Sequence, residues 1–239
     1  MVGVILAAGD GRRFKESSKE DFCKPLIKLK GKRLIEYALE NFVELGISCV
    51  YIVVGKEKDL IEESLCNQYK NLKLVYVVQK QQKGLIDAFM QAVSCMDLDK
   101  SVVLQLSDEI FVDLKIEDIK KAISLKEYDF YCGITYEDEA EKIKNNFSVD
   151  TDDEGLLIEC IEKPIEIINN VKGTGFCIFG SHAVQELRKN YSTSKNINDL
   201  CDYMNFLVSE NKKGFALHIA DKEFNINTIS DLIEVENYL

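Results

Sequence analysis

The stretch that decides the fold is VGVILAAGDGRRF, residues 2–14, in which an apolar run passes directly into a turn with two glycines and two arginines. The run has the length of a buried strand. Gly9 and Gly11 let the backbone after it turn tightly and bring its N–H groups close to a ligand. Arg12 and Arg13 carry donor groups that suit phosphate oxygens. The stretch therefore predicts a strand followed by an anion-binding loop, although a plain strand-to-helix turn with solvated arginines also explains it.

Apolar runs of strand length recur through the first part of the chain, and helical patterns separate them. The predicted strands are Val2–Ala8, Cys49–Gly55, Lys73–Gln79, Ser101–Asp108 and Asp129–Tyr136. Between them, apolar residues recur at helical spacing, most clearly in 34–45 and 85–96. This alternation is typical of βαβ units, so we expect a mostly parallel sheet that binds its ligand at the carboxyl ends of the strands.

The second half of the chain has shorter and more closely spaced strand patterns. Two of them, residues 145–154 and 156–163, meet at the turn DDEG (152–155), which is a hairpin signal. The remaining predicted elements are a strand at 173–180, helices at 181–191 and 197–211, a strand at 215–220 and a helix at 229–239. No linker, repeat or low-complexity run is evident, so we expect one domain over residues 1–239, with a parallel α/β half joined to an antiparallel insertion.

Composition and charge restrict the class of protein. Of the 239 residues, 46% are hydrophobic and 30% are charged, which is typical of a soluble globular protein. The net charge of −11 argues against a nucleic-acid partner, because binding a phosphate backbone needs a basic stripe. A small anionic ligand is compatible with this charge if basic residues gather locally.

Targeting and redox features favour the cytoplasm. The apolar runs are far shorter than the ~20 residues of a membrane helix, and no basic n-region or cleavage motif of a signal peptide follows Met1. The eight cysteines occur singly, so buried reduced thiols are favoured over a metal site or disulfides. With only two histidines, a histidine-based metal site or triad is not expected. We therefore expect a cytoplasmic protein with no membrane partner.

The two prolines of the chain give a second signal, since each follows a lysine. They are Pro25 in CKPL and Pro164 in IEKPI. Proline drives the preceding residue into an extended conformation, which fixes the direction in which Lys24 and Lys163 point. Ordinary proline turns explain these positions too, but beside an anion-binding loop two fixed lysines indicate contacts with phosphate groups.

A third signal is LQLSDEIF, in which Asp108 ends an apolar strand. Its position predicts a carboxylate at the carboxyl edge of the sheet. Such a group is a natural ligand for Mg²⁺, which proteins usually hold through one or two side chains together with substrate phosphates. A strand-terminating acid in a turn is the alternative interpretation.

Taken in order, these features resemble the nucleotidyltransferase (NTP-transferase) family of sugar-phosphate pyrophosphorylases and related cytidylyltransferases. The opening loop of that family is an apolar strand, [AG]-G-x-G-x-R-[LMF] and then K-P, and LAAGDGRRF with CKPL is similar to it. Five later segments also resemble the family, namely VVQKQQKGLIDAF, LSDEIF, IEKP, GTGFCIF and FNINTISDL. The resemblance covers nearly the whole chain and implies a Rossmann-like, GT-A type three-layer α/β sandwich, with a mostly parallel central sheet and an antiparallel insertion.

The resemblance implies a role for each matching residue. The nucleotide would contact the loop and a base-binding pair, which are Leu6, Ala7, Ala8, Gly9, Gly11, Arg12, Gln79 and Gly84. The catalytic cations would be Arg13, Lys24 and Lys163. The acceptor would be bound by Glu162, Lys163 and Gly175, and Mg²⁺ by Asp108 with Asn225 or Asn227.

The implied reaction is attack by a phosphate-monoester oxygen on the α-phosphorus of a nucleoside triphosphate, with pyrophosphate leaving. A pyrimidine donor is favoured, so CTP, UTP and dTTP stay open. The acceptor would be a small phosphate such as a sugar 1-phosphate, for a cell-surface glycan or capsule precursor. The alternative is a CTP-dependent enzyme for phosphocholine, a phosphonate or a phosphorylated amino-acid derivative. A homodimer is the default expectation for the assembly.

Departures from the family pattern keep other interpretations open. Asn225 and Asn227 stand where the family usually offers an acid, and this favours a non-catalytic nucleotide-binding subunit as the alternative of a different class. A GT-A glycosyltransferase would place D-x-D at the metal strand, and SDEIF lacks the second aspartate. A dinucleotide-binding dehydrogenase is disfavoured because Phe14 replaces the third glycine of G-x-G-x-x-G.

Overall fold

The apolar run of the opening stretch forms a strand, Val2–Ala7, whose residues are all buried in the computed structural model. The structure describes residues 1–18, 22–125, 127–191 and 197–239. Side chains of this strand alternate between two layers, because Val4 and Leu6 pack into one hydrophobic cluster while Ile5 and Ala7 pack into another. A strand that is apolar on both faces lies in the interior of a sheet covered by helices on both sides.

The described strands lie within three residues of the predicted ones at each end, and short additional strands occur. In chain order they are β1 (Val2–Ala7), β2 (Lys28–Leu29), β3 (Lys32–Arg33), β4 (Cys49–Val54), β5 (Gln68–Tyr69), β6 (Leu72–Val78), β7 (Val102–Leu106), β8 (Glu109–Val112), β9 (Phe130–Tyr136), β10 (Phe147–Thr151), β11 (Leu157–Glu162), β12 (Val171–Phe179), β13 (Gly214–His218) and β14 (Lys222–Asn225).

The helices cover the segments between these strands. They are α1 (Arg12–Ser18), α2 (Leu34–Glu44), α3 (Lys58–Leu65), α4 (Leu85–Val93), α5 (Ile116–Leu125), α6 (Ala140–Lys144), α7 (Ser181–Asn190), α8 (Leu200–Ser209) and α9 (Ile229–Tyr238), with a 3₁₀ turn at Lys24–Leu26. In the parts of the chain that are described, none of these helices is both long and apolar enough to cross a membrane.

The centre of the main sheet is parallel, as the βαβ pattern predicts. β1 pairs in parallel with β4 on one side and with β7 on the other, and β4 continues the parallel array to β6. The carboxyl ends of β1, β6 and β7 therefore meet at one edge of the sheet, which is where the opening loop begins. This arrangement places the loop after β1 between the segments that follow β6 and β7.

The predicted strand at Asp129–Tyr136 takes a place in the sheet that the sequence pattern does not indicate. β9 does not pair with β7, because β12 lies between them and runs antiparallel to both. β12 also pairs with β10, and β10 pairs with β11, so the predicted hairpin extends the same sheet. One ten-stranded sheet thus includes strands from both halves of the chain.

Helices cover the sheet on both faces and complete three layers. The cluster on one face includes residues of α4, α7 and α8, such as Phe89, Val184 and Met204. The cluster on the other face includes residues of α2 and α5, such as Phe42 and Ile119. The α/β architecture with a mostly parallel central sheet and antiparallel strands is therefore confirmed.

A small second sheet supports the edge where the loop begins. β8 and β14 pair antiparallel, with Asn225 opposite Glu109. The backbone N–H of Ile226 donates to the carbonyl of Asp108, at 2.9 Å. These contacts bring the closing segment of the chain next to the residue that ends the metal-strand motif, although more than a hundred residues separate them in sequence.

Candidate active site

The opening loop forms a tight turn at the carboxyl end of β1. Gly11 has a φ of +61°, a left-handed conformation that strongly favours glycine. A side chain there would also press on Lys24, because an added Cβ would lie 3.3 Å from Lys24 Cβ. The loop leads directly into α1, so its backbone stays close to the 3₁₀ turn that carries Lys24.

A cavity of about 600 Å³ opens beside this loop. Its walls come from the loop, from the segments after β6 and β7, and from the closing segment of the chain. The predicted site residues that line it are Leu6, Ala7, Ala8, Gly9, Gly11, Arg12, Arg13, Lys24, Gln79, Gly84, Asp108 and Asn227. All the predicted nucleotide-binding residues therefore face one cavity.

The lysine of the first Lys-Pro pair contacts the aspartate of the metal-strand motif. Lys24 Nζ lies 2.5 Å from Asp108 Oδ2, and the two side chains are 11% and 24% exposed. Buried Pro25 anchors the 3₁₀ turn behind the lysine. A cation and an anion thus neutralise each other inside the cavity, where phosphate groups and a metal ion would compete for them.

The two arginines of the loop have different surroundings. Arg12 is exposed and pairs with Asp10 at 3.2 Å, and Lys56 approaches the same carboxylate at 3.7 Å. Burial raises the pKa of Asp10, but the contacts with Arg12 and Lys56 outweigh it and lower that pKa overall. Arg13 makes no ion pair with any described residue and lines the cavity. Of the two, Arg13 is the one available to an anion.

The predicted base-binding residues, Gln79 and Gly84, contact each other, and Gln79 also contacts a buried carboxylate. Gln79 Nε2 donates to Asp87 Oδ2 at 2.8 Å and to the Gly84 carbonyl at 3.1 Å. Gln82 Nε2 donates to the Ala8 carbonyl at 2.9 Å, which ties this segment to the opening loop. Sequence reasoning missed Asp87 and Gln82; the signal for Asp87 was a charged residue within the apolar pattern of α4.

The two candidate asparagine ligands are not equivalent. Asn227 lines the main cavity, whereas Asn225 lines a neighbouring cavity of about 270 Å³ that shares Arg13 and Asn227 with it. Asn227 Nδ2 donates to Asn225 Oδ1 at 2.9 Å, and Asn225 Nδ2 donates to Asn146 Oδ1 at 3.3 Å. Both polar atoms of the Asn225 amide are therefore engaged, while Asn227 Oδ1 accepts no hydrogen bond from the described residues.

The donor set at the main cavity suits a magnesium ion. Asp108 Oδ1 and Asn227 Oδ1 are oxygen atoms without a hydrogen-bond donor among the described residues. The described residues include no cluster of three or more His, Cys, Asp or Glu side chains that would hold a metal by themselves. One carboxylate and one amide oxygen match the sparse protein coordination that Mg²⁺ accepts when phosphates and water fill the remaining positions.

The predicted acceptor-binding residues do not line the main cavity. Lys163 has a φ of +46° and a side chain that is 68% exposed, 3.5 Å from Glu162. Burial and the nearby Asp199 raise the pKa of Glu162, whose carboxylate also accepts from Cys201 Sγ at 3.8 Å. The backbone N–H of Lys163 donates to the Asn146 carbonyl, so its backbone is fixed while its side chain lies in solvent.

The third predicted acceptor residue, Gly175, has a structural reason to be glycine. An added Cβ would lie 2.3 Å from Leu106 Cγ, so β12 could not approach β7 as it does. Its N–H donates to the buried Glu109 carboxylate at 2.8 and 2.9 Å. Burial, together with Glu223 and Asp108, raises the pKa of Glu109 well above its usual value.

Comparison with known proteins gives one family and one fold. The family model described as nucleotidyl transferase matches residues 2–238. UTP--glucose-1-phosphate uridylyltransferase AglF of Haloferax volcanii is 26% identical over 239 residues, which is 100% of this chain and 96% of that protein. Other curated relatives are longer, and the chain spans 56% and 54% of two of them.

Solved structures share the fold over nearly the full chain. A UDP-glucose pyrophosphorylase complexed with UDP-glucose has a TM-score of 0.82 and 21% identity, and the match covers 100% of this chain and 98% of that one. The inositol-1-phosphate CTP transferase from T. maritima has a TM-score of 0.80 and 18% identity, and the match covers 98% of this chain and 93% of that one.

Proposed function

The chain belongs to the nucleotidyl transferase family, and from that premise we propose that it condenses a pyrimidine nucleoside triphosphate with a small phosphate monoester and releases pyrophosphate. The class, an enzyme that transfers a nucleotidyl group, follows from the family. The observation that carries the proposed reaction is the single cavity in which the glycine loop, Lys24, Asp108 and Asn227 converge. UTP with a sugar 1-phosphate is the preferred pair, because the full-length relative AglF bears the name of that reaction.

Donor binding would use the loop after β1. The backbone N–H groups around Gly9 and Gly11 and the side chain of Arg13 supply donors for the triphosphate. Gln79 and Gly84 lie at the end of β6, on the opposite wall, where the base would lie. In an otherwise acidic protein, this local set of donors gives an anion a favourable place to bind.

Lys24 is proposed as the catalytic cation at the α-phosphate. Its ammonium group contacts Asp108 beside the cavity, so it would need no large movement to reach a bound triphosphate. When the triphosphate binds, its oxygens would replace Asp108 as the partner of Lys24 Nζ. The lysine would then neutralise the charge that develops as pyrophosphate leaves, which is the main help a protein gives to phosphoryl chemistry.

Asp108 and Asn227 are proposed to hold Mg²⁺. Asn225 is proposed to position Asn227 by accepting a hydrogen bond from its side-chain amide. A bound magnesium ion neutralises and orients the phosphate oxygens of the nucleotide. When Lys24 exchanges its contact with Asp108 for one with a phosphate oxygen, Asp108 Oδ2 would become free for this purpose. Asp108 would then bind the magnesium ion and Lys24 would bind the phosphate group, so each side chain would keep a partner of opposite charge.

The acceptor is proposed to bind near Glu162, Lys163 and Gly175. Lys163 would neutralise the phosphate of the acceptor so that two anions can approach each other. Its side chain has only one ionic neighbour among the described residues, Glu162 at 3.5 Å, so it can turn toward a substrate without breaking a buried contact. Glu162 would accept a hydrogen bond from a hydroxyl group of the acceptor.

The setting of the reaction is also a proposal. We infer that residues 1–239 work as a single nucleotidyltransferase domain, which the sheet shared by both halves supports. A cytoplasmic enzyme, active as a homodimer and supplying a precursor for a surface glycan, fits the cysteine usage and the family resemblance. A CTP-dependent enzyme for a non-sugar phosphate is the second candidate, and the shared fold of the inositol-1-phosphate CTP transferase favours it.

The proposed function is tested by a thermal-shift panel of ATP, GTP, CTP, UTP and dTTP, each with and without Mg²⁺. A nucleotide at about 100 times its Kd stabilises the folded state by ~2.7 kcal/mol, which corresponds to roughly 5–10 °C for a protein of this size. We expect a Mg²⁺-dependent shift for a pyrimidine triphosphate, followed by pyrophosphate release with glucose 1-phosphate or another acceptor. Binding without pyrophosphate release for any acceptor would support the non-catalytic alternative, and no shift with any nucleotide would contradict the donor site.

A further inference from the structure

The side-chain amide of Gln79 has one favourable orientation. Its nitrogen donates two hydrogen bonds, at 2.8 Å to Asp87 Oδ2 and at 3.1 Å to the Gly84 carbonyl. Both partners are acceptors, so a turned amide would direct its oxygen at two other oxygens. Gln79 is 6% exposed, and its Oε1 receives no donor from the described residues. Gln79 Oε1 is therefore the side-chain atom that a ligand in the cavity can contact, and it is a hydrogen-bond acceptor.

Asp87 is the residue that enforces this orientation. It is 7% exposed on α4, and its other oxygen, Oδ1, accepts from the Tyr191 hydroxyl at 2.5 Å and from Gln91 Nε2 at 3.5 Å. Tyr191 follows α7, so the carboxylate is held between two helices. Both carboxylate oxygens of Asp87 therefore serve as acceptors, Oδ2 for Gln79 and Oδ1 for Tyr191 and Gln91.

We propose that Asp87, held by Tyr191, is a positioning residue that fixes Gln79 as an acceptor and so selects uracil or thymine over cytosine. This inference rests on the proposed function and names the base of its donor. Uracil and thymine carry a hydrogen on ring atom N3, whereas the same atom of cytosine carries a lone pair. A fixed Gln79 Oε1 attracts the first and repels the second.

The neighbouring backbone completes the match. The Gly84 N–H makes no hydrogen bond with any described residue, and Gly84 lines the same cavity. It supplies a donor beside the Gln79 acceptor, which suits the ring carbonyl next to N3–H of uracil or thymine. With cytosine bound, Gln79 Oε1 would face a lone pair and lose its hydrogen bond. A buried polar group that is left unpaired with the wrong base discriminates between bases more strongly than a small difference in shape does.

The test is Asp87→Asn, with the dissociation constants of Mg·UTP and Mg·CTP measured by calorimetry. Tyr191 and Gln91 both donate to the outer oxygen, so they keep the new carbonyl on their side, and the new NH₂ group faces Gln79. Gln79 Nε2 then meets an NH₂ group in place of its shorter acceptor, and only the 3.1 Å contact with the Gly84 carbonyl still favours the original orientation. We therefore expect the amide to turn and to present its own NH₂ group to the base. We expect the wild-type protein to favour UTP by about tenfold or more, and the variant to lose or reverse that preference.

Tyr191→Phe is the matched control. It removes a donor from the same network but leaves a carboxylate at position 87, so Gln79 keeps its orientation. Both nucleotide affinities are free to fall, but their ratio should stay within about twofold of the wild-type ratio. A loss of the preference in this control would show that general loosening, and not the chemistry of Asp87, sets the ratio.

Two results would overturn the inference: a wild-type protein that binds CTP as tightly as UTP, or an Asp87→Asn variant with an unchanged ratio. If that variant does not fold, as judged by circular dichroism, Gln79→Ala replaces it and should bring the two affinities to within about twofold of each other. Pyrophosphate release by the wild-type protein separates this inference from the proposed function. Release with no base preference removes only the inference, while absence of both binding and release removes both.

Discussion

The proposed donor and acceptor sides of the candidate site differ in how closely their residues lie together in the structure. On the donor side, the loop after β1, Lys24, Asp108 and Asn227 already face one cavity. On the acceptor side, the Lys163 side chain lies in solvent, and Gly175 lies in the close contact between β12 and β7. The proposed donor side is therefore preorganised, whereas the proposed acceptor side would need at least a side-chain movement.

The difference follows from the secondary structure that carries each side. The loop and Asp108 follow the parallel strands β1 and β7, whose carboxyl ends the hydrogen bonds of the sheet hold at one edge. Lys24 reaches that edge from the 3₁₀ turn, and Asn227 reaches it from the end of β14. Lys163 instead follows β11, which lies at the end of the sheet and, among the described residues, pairs only with the strand β10. We expect substitutions on the donor side to impair the chemical step, and those on the acceptor side to impair mainly the capture of the acceptor.

The largest expected effect comes from separating the central ion pair. We expect Lys24→Ala and Asp108→Ala each to lower kcat at least about 100-fold, because each loses a key electrostatic contact of the reaction. Initial rates of pyrophosphate release, with UTP and the best acceptor from a panel of phosphate monoesters, measure the effect.

The matched control for this pair is Lys28→Ala, which removes an exposed lysine from β2, close in sequence to Lys24. It should keep the wild-type rate. Circular dichroism and the Tm of each variant check that the fold is intact. A rate near that of the wild type in a folded Lys24 or Asp108 variant would remove that residue from the catalytic set.

The next effect distinguishes the acceptor side from the donor side. We expect Lys163→Ala to raise the KM of the acceptor by about tenfold or more, the scale of a lost hydrogen bond to a charged group, while the Kd of the nucleotide is unchanged. Steady-state kinetics in both substrates, together with calorimetry for the nucleotide alone, measure the two quantities. An increase in the Kd of the nucleotide instead would place Lys163 on the donor side.

A smaller effect is expected on the Mg²⁺ requirement, and it distinguishes the two asparagines on the donor side. Asn227→Ala should raise the Mg²⁺ concentration for half-maximal activity by about tenfold, and Asn225→Ala by less, because Asn225 acts through Asn227. Mn²⁺ binding to the enzyme–nucleotide complex, followed by electron paramagnetic resonance, checks the order without relying on turnover. The opposite order would make Asn225 the direct ligand.

The smallest effect concerns Glu109, which lies between the two sides and accepts from Gly175 N–H. Burial raises its pKa in the folded state above the usual value near 4.5, so the folded state keeps this proton to higher pH than the unfolded chain does. Stability is therefore lost as the pH rises through the range in which Glu109 must ionise. Glu109→Gln keeps an acceptor without that cost.

We expect the Tm of Glu109→Gln to match that of the wild type near pH 5 and to exceed it by a margin that grows toward pH 8. Thermal unfolding of both proteins across this range is the measurement. A margin that stays constant with pH would show that Glu109 does not ionise with folding in the expected direction.

Local sequence patterns predicted much of the fold and of the donor side. The strands and helices could be placed because their side-chain periodicity is a local property. The loop after β1 and Asp108 could be related because strands of a parallel sheet end at the same edge. Lys24 was added to them by the Lys-Pro pair and by the family resemblance. Residues within each of these segments are close in sequence, so the local structure of each segment could be predicted without a tertiary structure.

Contacts between segments that are far apart in sequence could not be predicted from the sequence. No periodicity places β12 between β7 and β9, since the antiparallel pairing depends on the close approach at Gly175. The contact between Asp87 and Tyr191 joins positions 104 residues apart, and the other oxygen of the same carboxylate accepts from the Gln79 amide.

By itself, then, the sequence determined the elements of the fold and the chemical types of the residues that end its strands. Only the tertiary structure decided which residues meet, that Asn227 rather than Asn225 faces the main cavity, and how the Gln79 amide is turned. The physical reason is that periodicity and turn chemistry act within a few residues of the chain. The orientation of a buried amide depends instead on donors and acceptors that packing brings from other elements.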